Sequence, residues 1–355
     1  MGGGAYAPGL VADPRPALRF GVVHDFRCPP GSPFSLADVY HQTLEQVVLM
    51  DRLGLDLAWF SEHHFVEDGY LPNFVPVAGA VAARTERIRI STDIALAPFA
   101  HPIRLAEDLA VLDQLSGGRM ELGLGLGYAP HEFRGFGIPI ANRVSLTEEC
   151  VDILRLAWSG EPFSYAGRRY RFDDVTVTPT PVQPGGPPLW LASTSPRSVE
   201  RAVRFDTNVL PQGLRSVVLD GWREQARAAG LDPDRRRVGI IRGVLVTDDP
   251  ERDWPPVREA ERYRMRVYGR FAEEANLGGQ AMFQQEGRMS QRIIVGDVAT
   301  CVAELTSYIA DHGFTDVVTW GSAPGLPPAH FTPSMERFAR EVVPLVRQSL
   351  ASQPR

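Results

Sequence analysis

Two adjacent histidines, His63 and His64, close the apolar run LAWFSEHH at 57–64. Imidazole titrates near neutral pH, so such a residue can move protons or bind a metal. The spacing separates the two roles. Paired metal ligands on one strand take the form HxH, because alternate residues share a face, whereas adjacent side chains diverge. His24 and His101 are the other imidazoles able to converge on either one. With no HxH and no carboxylate at ligand spacing, no metal is expected. Proton transfer is then the functional reading, and a packing pair is the structural one.

A second run, STSPRS at 193–198, suits an anion. Hydroxyls, Arg197 and the N–H groups of an opening helix would all face a phosphate. An ordinary N-cap by Ser195 explains the same residues. The run GLGLG at 123–127 leaves one strand face bare. Either a flat ligand or a closely packed neighbouring strand would fill that face. The run lacks the third glycine of a dinucleotide fingerprint. Neither GxSxG nor a reactive-cysteine signature occurs.

Alternating strands and helices must position these groups. Strands are expected at Arg19–Phe26, Leu57–His64, Ile88–Leu96, Arg119–Gly127, Leu189–Ser193, Thr207–Leu210, Val238–Thr247 and Asp316–Trp320. Helices are expected at Ala37–Leu53, Asn73–Arg84, 101–116, Arg143–Trp158, Ser198–Arg204, Val217–Ala229, Val298–Asp311 and Met335–Arg347. That repeat predicts an α/β fold, an eight-stranded parallel TIM-type barrel in a single domain over 19–350. Residues 1–18 read as a flexible tail. Segments 160–184 and 249–291 read as insertions, the second as a lid over the barrel mouth, a dimer contact or plain decoration. Barrel chemistry sits at the C-terminal strand ends. These carry His24 and Asp25, Glu62 to His64, Asp93, Gly123 to Tyr128, Ser193 to Ser195, and Trp320.

Composition narrows the partners. The net charge of −6 gives no basic footprint for nucleic acid. Three scattered cysteines, Cys28, Cys150 and Cys301, fit a reducing cytoplasm. No secretory signal is read at the N-terminus, and Tyr6 stands where myristoylation wants Ser or Thr. No apolar run reaches membrane-spanning length.

Four motifs carry a resemblance: SEHHF at 61–65, AHPIRLAEDLAVLDQLSGGR at 100–119, GLGLGYAPHEFRGFGIPIANR at 123–143 and SMERFAREVVPLV at 334–346. From Arg19 to Arg347 the chain resembles the luciferase-like family of flavin-dependent oxidoreductases. The resemblance implies a barrel binding reduced FMN as a diffusible cosubstrate, or a deazaflavin coenzyme in its place. It implies His63 as the catalytic residue beside the flavin's reactive edge. Asp93–Ile94 falls where the family has a non-prolyl cis peptide under the isoalloxazine ring. Gly125, Leu126 and Tyr128 are implied as further cofactor-binding residues. Arg143, Ser193, Thr194 and Arg197 match the family's phosphate-binding positions. Leu126 departs from the luciferases, which carry arginine there; other branches, deazaflavin users among them, have aliphatic residues. The expected function is an FMN-dependent monooxygenase acting with dioxygen on a small organic substrate, fed by a separate flavin reductase and assembled as a homodimer. A deazaflavin-dependent dehydrogenase or reductase is the alternative, and a non-catalytic flavin-binding protein the reading from another class.

Overall fold

The computed structural model describes residues 16–211, 216–277 and 293–352. The expected tail at 1–18 falls almost wholly outside them, as does the end of the 249–291 insertion.

Local chemistry sets the element ends. Helix α1 (Leu36–Leu53) starts at a reciprocal Ser35–Asp38 capping box and stops at Gly54, whose φ of 85° suits glycine. Helix α2 (Phe74–Arg84) is capped by the Asn73 side chain. Helix α3 (Pro102–Ser116) opens on proline and closes at Gly117, φ 64°.

Nine of the described strands form two larger parallel sheets. Strands β1 (Arg19–His24), β2 (Leu57–Phe60) and β3 (Arg89–Thr92) are flanked by β13 (Asp316–Trp320) and β10 (Gly239–Ile241), in the order β10-β13-β1-β2-β3. The second sheet runs β4-β5-β8-β9, from β4 (Ala95–Leu96), β5 (Leu122–Gly125), β8 (Leu189–Ala192) and β9 (Asn208–Leu210). Single parallel bridges, Ile90 to Met120 and Val209 to Val238, join the sheets. The ladder is therefore two sheets rather than the one continuous eight-stranded ring expected. At one seam the third strand breaks at a cis Asp93–Ile94 peptide and resumes as β4 beside β5. At the other, β9 is only three residues long.

Between the sheets lies a buried cluster of Val23, Leu57, Trp59, Trp190, Leu210 and Val318. Beneath it, at the N-terminal strand ends, buried charges are paired. Glu121 accepts from Arg19 at 2.7 Å and from the Trp190 indole at 2.9 Å, and pairs with Arg89. Arg19 also reaches Asp316 at 2.5 Å. Burial would raise the Glu121 pKa, but the two arginines hold it lowered.

Three expected elements are revised: the second strand, the seventh strand and the last helix. The second strand ends at Phe60, so SEHH is a loop. The seventh splits at Arg242, where β11 (Gly243–Val246) leaves the sheet to pair with β12 (Ile293–Gly296), a strand not foreseen. The 160–184 insertion is an antiparallel hairpin of β6 (Phe163–Ala166) and β7 (Arg171–Val175). The remaining helices are α4 (Pro130–Gly135), α5 (Arg143–Ala157), α6 (Pro196–Arg204), α7 (Ser216–Ala228), α8 (Pro250–Glu274), α9 (Val298–His312), α10 (Thr332–Arg337) and α11 (Val343–Ala351). The last two, with the single π turn Phe338–Val342 between them, replace the one helix expected at Met335–Arg347.

His24 ends β1 with its ring buried against Gly321, where an added Cβ would lie 2.0 Å from Cε1. Neither ring nitrogen has a hydrogen-bond partner among the described residues. Burial, reinforced by the Arg264 charge, pushes its pKa down to about 3. The folded state thus keeps His24 neutral while the unfolded chain titrates near 6.5. Its contribution is complete above that value and is lost as pH falls from 6.5 towards 3, by about 1.4 kcal/mol per pH unit at most. Urea unfolding at pH 7.5 and pH 5 should show a shallower acid loss for His24→Leu than for the wild type.

Candidate active site

The loop after β2 brings His63 against a carboxylate distant in sequence. Its Nδ1 lies 2.8 Å from Glu132 Oε1, and the same oxygen accepts the His64 backbone N–H at 2.9 Å. Glu132 belongs to α4, the short helix that follows the β5 loop, and its side chain is fully buried. Burial would raise its pKa; the His63 hydrogen bond and charge, then the His64 N–H, hold it below the usual carboxylate range. An ionised carboxylate only accepts, so Nδ1 of His63 carries a proton toward it. Nε2 is then the ring atom available for proton transfer.

His64 turns to a different acid. Its Nε2 lies 3.0 Å from Glu62 Oε1, which also accepts the Leu96 N–H at 3.3 Å. Phe99 and Phe136 meet its ring edge-on, and Phe65 packs against it at a tilt. The two rings do diverge, but from a loop and toward separate carboxylates, Glu132 on α4 and Glu62 on the loop itself, not through strand alternation.

Aromatic rings enclose His63. Tyr70 stands 4.9 Å from its ring centroid, Phe271 5.2 Å, Tyr128 5.9 Å and Tyr268 5.9 Å. Tyr268 and Phe271 come from α8, which lies across the strand ends. The Tyr70 hydroxyl donates to Ser61 at 2.8 Å and meets the Tyr268 hydroxyl at 2.8 Å. At its far end α8 is tied to α4: Glu274 contacts the His131 ring at 2.8 Å and accepts from Arg134 at 2.6 Å. One short helix therefore grips both His63 and the covering helix.

Beside this box the Asp93–Ile94 peptide is cis. Gly125 is needed there, because a Cβ would lie 1.9 Å from the Ile94 side chain. Close packing thus fills part of the bare strand face. Asp93 is buried, and burial pushes its pKa up to about 7. Leu126 and Ile94 are half-buried. Arg143, the first residue of α5, donates to the Gly127 carbonyl at 3.2 Å, over the end of β5. Just after the neighbouring strand β8 comes Ser193, whose buried hydroxyl donates to Leu191 O at 3.1 Å. The N–H groups of Thr194 and Ser195 both donate to Ser198 Oγ, at 2.9 and 2.8 Å, within a Ser195–Ser198 capping box. The Thr194 and Arg197 side chains are exposed.

The structure thus gathers His63, Tyr128 and the lid residues into one box, with Asp93, Ile94, Gly125 and Leu126 at the adjoining strand ends and Arg143 with 193–197 further out. Sequence reading did not single out Glu132 or Tyr70. Glu132 had one local signal, a carboxylate two residues after a helix-opening Pro130. No group of three metal-ligating side chains occurs among the described residues.

The luciferase-like monooxygenase family model matches residues 18–316. The chain belongs to that family. It is 26% identical over 331 residues to the oxygenase component of the flavin-dependent trigonelline monooxygenase of Acinetobacter baylyi, covering 88% of this chain and 91% of that one. It is 29% identical over 336 residues to the F420-dependent glucose-6-phosphate dehydrogenase of Kineococcus radiotolerans, covering 89% and 94%. An uncharacterized Sinorhizobium fredii protein, y4vJ, is 30% identical over 61% of this chain, which spans 63% of that protein's length. The crystal structure of monooxygenase RslO1 from Streptomyces bottropensis superposes with a TM-score of 0.78 at 26% identity, over 92% of this chain and 99% of that one. The family thus has both flavin-dependent monooxygenases and F420-dependent dehydrogenases among its members. In this member, no helix among the described residues is long and apolar enough to cross a membrane.

Glu132→Gln keeps the shape and removes the charge. It should cost about 1.5–3 kcal/mol, the usual worth of a charge-assisted hydrogen bond. The pKa of Glu132 is lowered in the fold, so its contribution is present above 4.5 and lost as pH falls through the depressed value. Urea midpoints at pH 7 and pH 4 should show the variant deficit shrinking at the lower pH. Nitrogen NMR should show the Nδ1-protonated tautomer of His63 less strongly favoured than in the wild type.

Proposed function

We propose that this chain is an FMN-dependent monooxygenase acting with dioxygen on a small organic substrate. The observation that carries the reading is the aromatic box around a carboxylate-held histidine, covered by α8. In this reading the two parallel sheets form one eight-stranded barrel, and the site occupies its C-terminal mouth. The residues suit a flavin. Ile94, Gly125, Leu126 and Tyr128 offer a largely apolar wall for a flat ring system, with Asp93 at its edge. Arg143, Ser193, Thr194 and Arg197 offer guanidinium and hydroxyl groups at two adjoining helix starts for a phosphate.

Reduced flavin, when bound, supplies the electrons that activate dioxygen. The chain does the rest. Helix α8 and the rings on it keep water from the reacting edge. Glu132 fixes His63 in one tautomer, and Nε2 of His63 donates or takes the proton at the reacting atoms. A separate flavin reductase, a homodimeric assembly and a cytoplasmic location belong to the same reading. An F420-dependent dehydrogenase is the second reading, favoured by one residue: Leu126, where luciferases carry arginine.

Quenching of tryptophan fluorescence by reduced FMN, compared with reduced F420, tests the choice. Tighter F420 binding overturns the monooxygenase reading. Arg143→Ala should weaken FMN binding about 10- to 100-fold and leave riboflavin, which lacks the phosphate, nearly unaffected. Equal losses for both would make Arg143 a structural residue.

His63→Ala should lower product formation by about 10²–10⁴ while FMN affinity stays within about threefold. Hydrogen peroxide should be released in place of product. Full coupled turnover by this variant would reduce the histidine pair to packing.

A further inference from the structure

Beyond His63, the mouth holds a second set of side chains that neither the proton chemistry nor the flavin assignment uses. Arg27, just after β1, and Arg264, on α8, are almost completely buried, as is Asp25 between them (2%, 0% and 1% exposed). The outer contacts of this group are firm. Arg27 donates to Asp68 at 2.7 Å. Arg264 pairs with Glu261 at 3.2 Å, donates to Ser322 O at 2.8 Å and stacks 3.6 Å from the Trp320 ring centroid.

The inner contacts are loose. Asp25 Oδ2 lies 3.9 Å from Arg27 Nη1 and 3.5 Å from Arg264 Nε. None of these three atoms has a hydrogen-bond partner among the described residues. Buried polar atoms are nearly always satisfied, so three that face one another at long range mark a position a further polar atom completes. The position adjoins the aromatic box. Arg27 sits 5.1 Å from the Tyr70 ring centroid, 5.4 Å from Tyr263 and 5.8 Å from Tyr268. Tyr70 and Tyr268 also flank His63.

We propose that the mouth holds its organic substrate through a ring hydroxyl, received between Asp25, Arg27 and Arg264. This deepens the reading of the mouth as the substrate chamber and rests on it. The donor and acceptor balance selects the group. Two further nitrogens without a hydrogen bond, Arg27 Nη2 and Arg264 Nη1, face outward in ion pairs with Asp68 and Glu261 at 2.6 and 3.2 Å. The vacant contacts that face inward comprise one acceptor, Asp25 Oδ2, and two N–H donors, Arg27 Nη1 and Arg264 Nε. A hydroxyl donates to the first and accepts from the others. An ether donates nothing to Asp25. A carboxylate would bring a fourth negative charge beside Asp25, Asp68 and Glu261, against two guanidiniums in a buried place. The tyrosine and tryptophan rings make the walls suited to a flat aromatic skeleton. The ligand class is therefore a hydroxylated aromatic ring, and this anchor would orient it beside His63.

Calorimetric titration of the flavin-free protein with 2-naphthol, 2-methoxynaphthalene and 2-naphthoate tests this. The naphthol should bind at least about tenfold more tightly than either analogue. Arg264→Met, if its melting curve shows a folded protein, should bring naphthol and ether to within about twofold. The wild-type comparison decides alone if that variant does not fold. Equal binding of naphthol and ether, or no binding of any probe, means that ordered water only completes the three atoms, and overturns the proposal. Tighter naphthoate binding shows an anion site and overturns it too. Retention of the naphthol preference in a folded Arg264→Met also overturns it. FMN titration of the same preparation reads the flavin assignment separately, so either can fail while the other stands.

Discussion

A single buried oxygen, Oε1 of Glu132, organises the mouth of this protein. It accepts the His63 ring and the His64 backbone together. A carboxylate in that position costs desolvation and is held ionised only because both donors converge on it. The loop after β2 and the helix after β5 are locked to each other by that convergence. The helix that carries Glu132 also carries His131 and Arg134, which hold the last residue of α8. The orientation of His63 and the placement of the covering helix therefore share one support.

The two ends of the strands are built on opposite electrostatic terms. At the N-terminal ends, Arg19, Glu121, Asp316 and the Trp190 indole bind one another at short range across both sheets. That end is a floor. At the C-terminal ends, Asp25 meets Arg27 and Arg264 at longer range, and the rings of Tyr70, Tyr263, Tyr268 and Trp320 lie against the two guanidiniums. A closed network gives rigidity, whereas an incompletely satisfied one leaves hydrogen-bonding capacity for a ligand. The same side chain types thus close a network at one end and leave unmet contacts at the other.

Much of the architecture was legible along the chain. The boundaries of α1, α3 and α5 follow from caps, glycine stops and apolar periodicity, and each fell within a residue or two of its expected place. Strand lengths were overestimated where the chain leaves the ladder for chemistry, at SEHH after Phe60 and at Asp93–Ile94. Those residues have strand-like composition, and composition does not register that the next strand has moved away. The strand β12 was missed because its four residues, IIVG, pair only with the displaced half of the seventh strand. The serine-rich turn at 193–198 is a capping box, and its side chain types alone could not separate capping from anion binding.

Residue types and spacing pointed to the α/β repeat, the candidate strand ends and the histidine pair that carries His63, the candidate for proton chemistry, because these are properties of near neighbours in sequence. Which acid each histidine meets was not among them. Glu132 is 69 residues from His63, while Arg264 lies far along the chain from Asp25 and yet within 3.5 Å of it. Pairings of that kind arise only when separate strand ends are packed side by side and a long helix is laid across them. Periodicity encodes which face of an element is apolar; it carries no information on what polar group another element will place opposite.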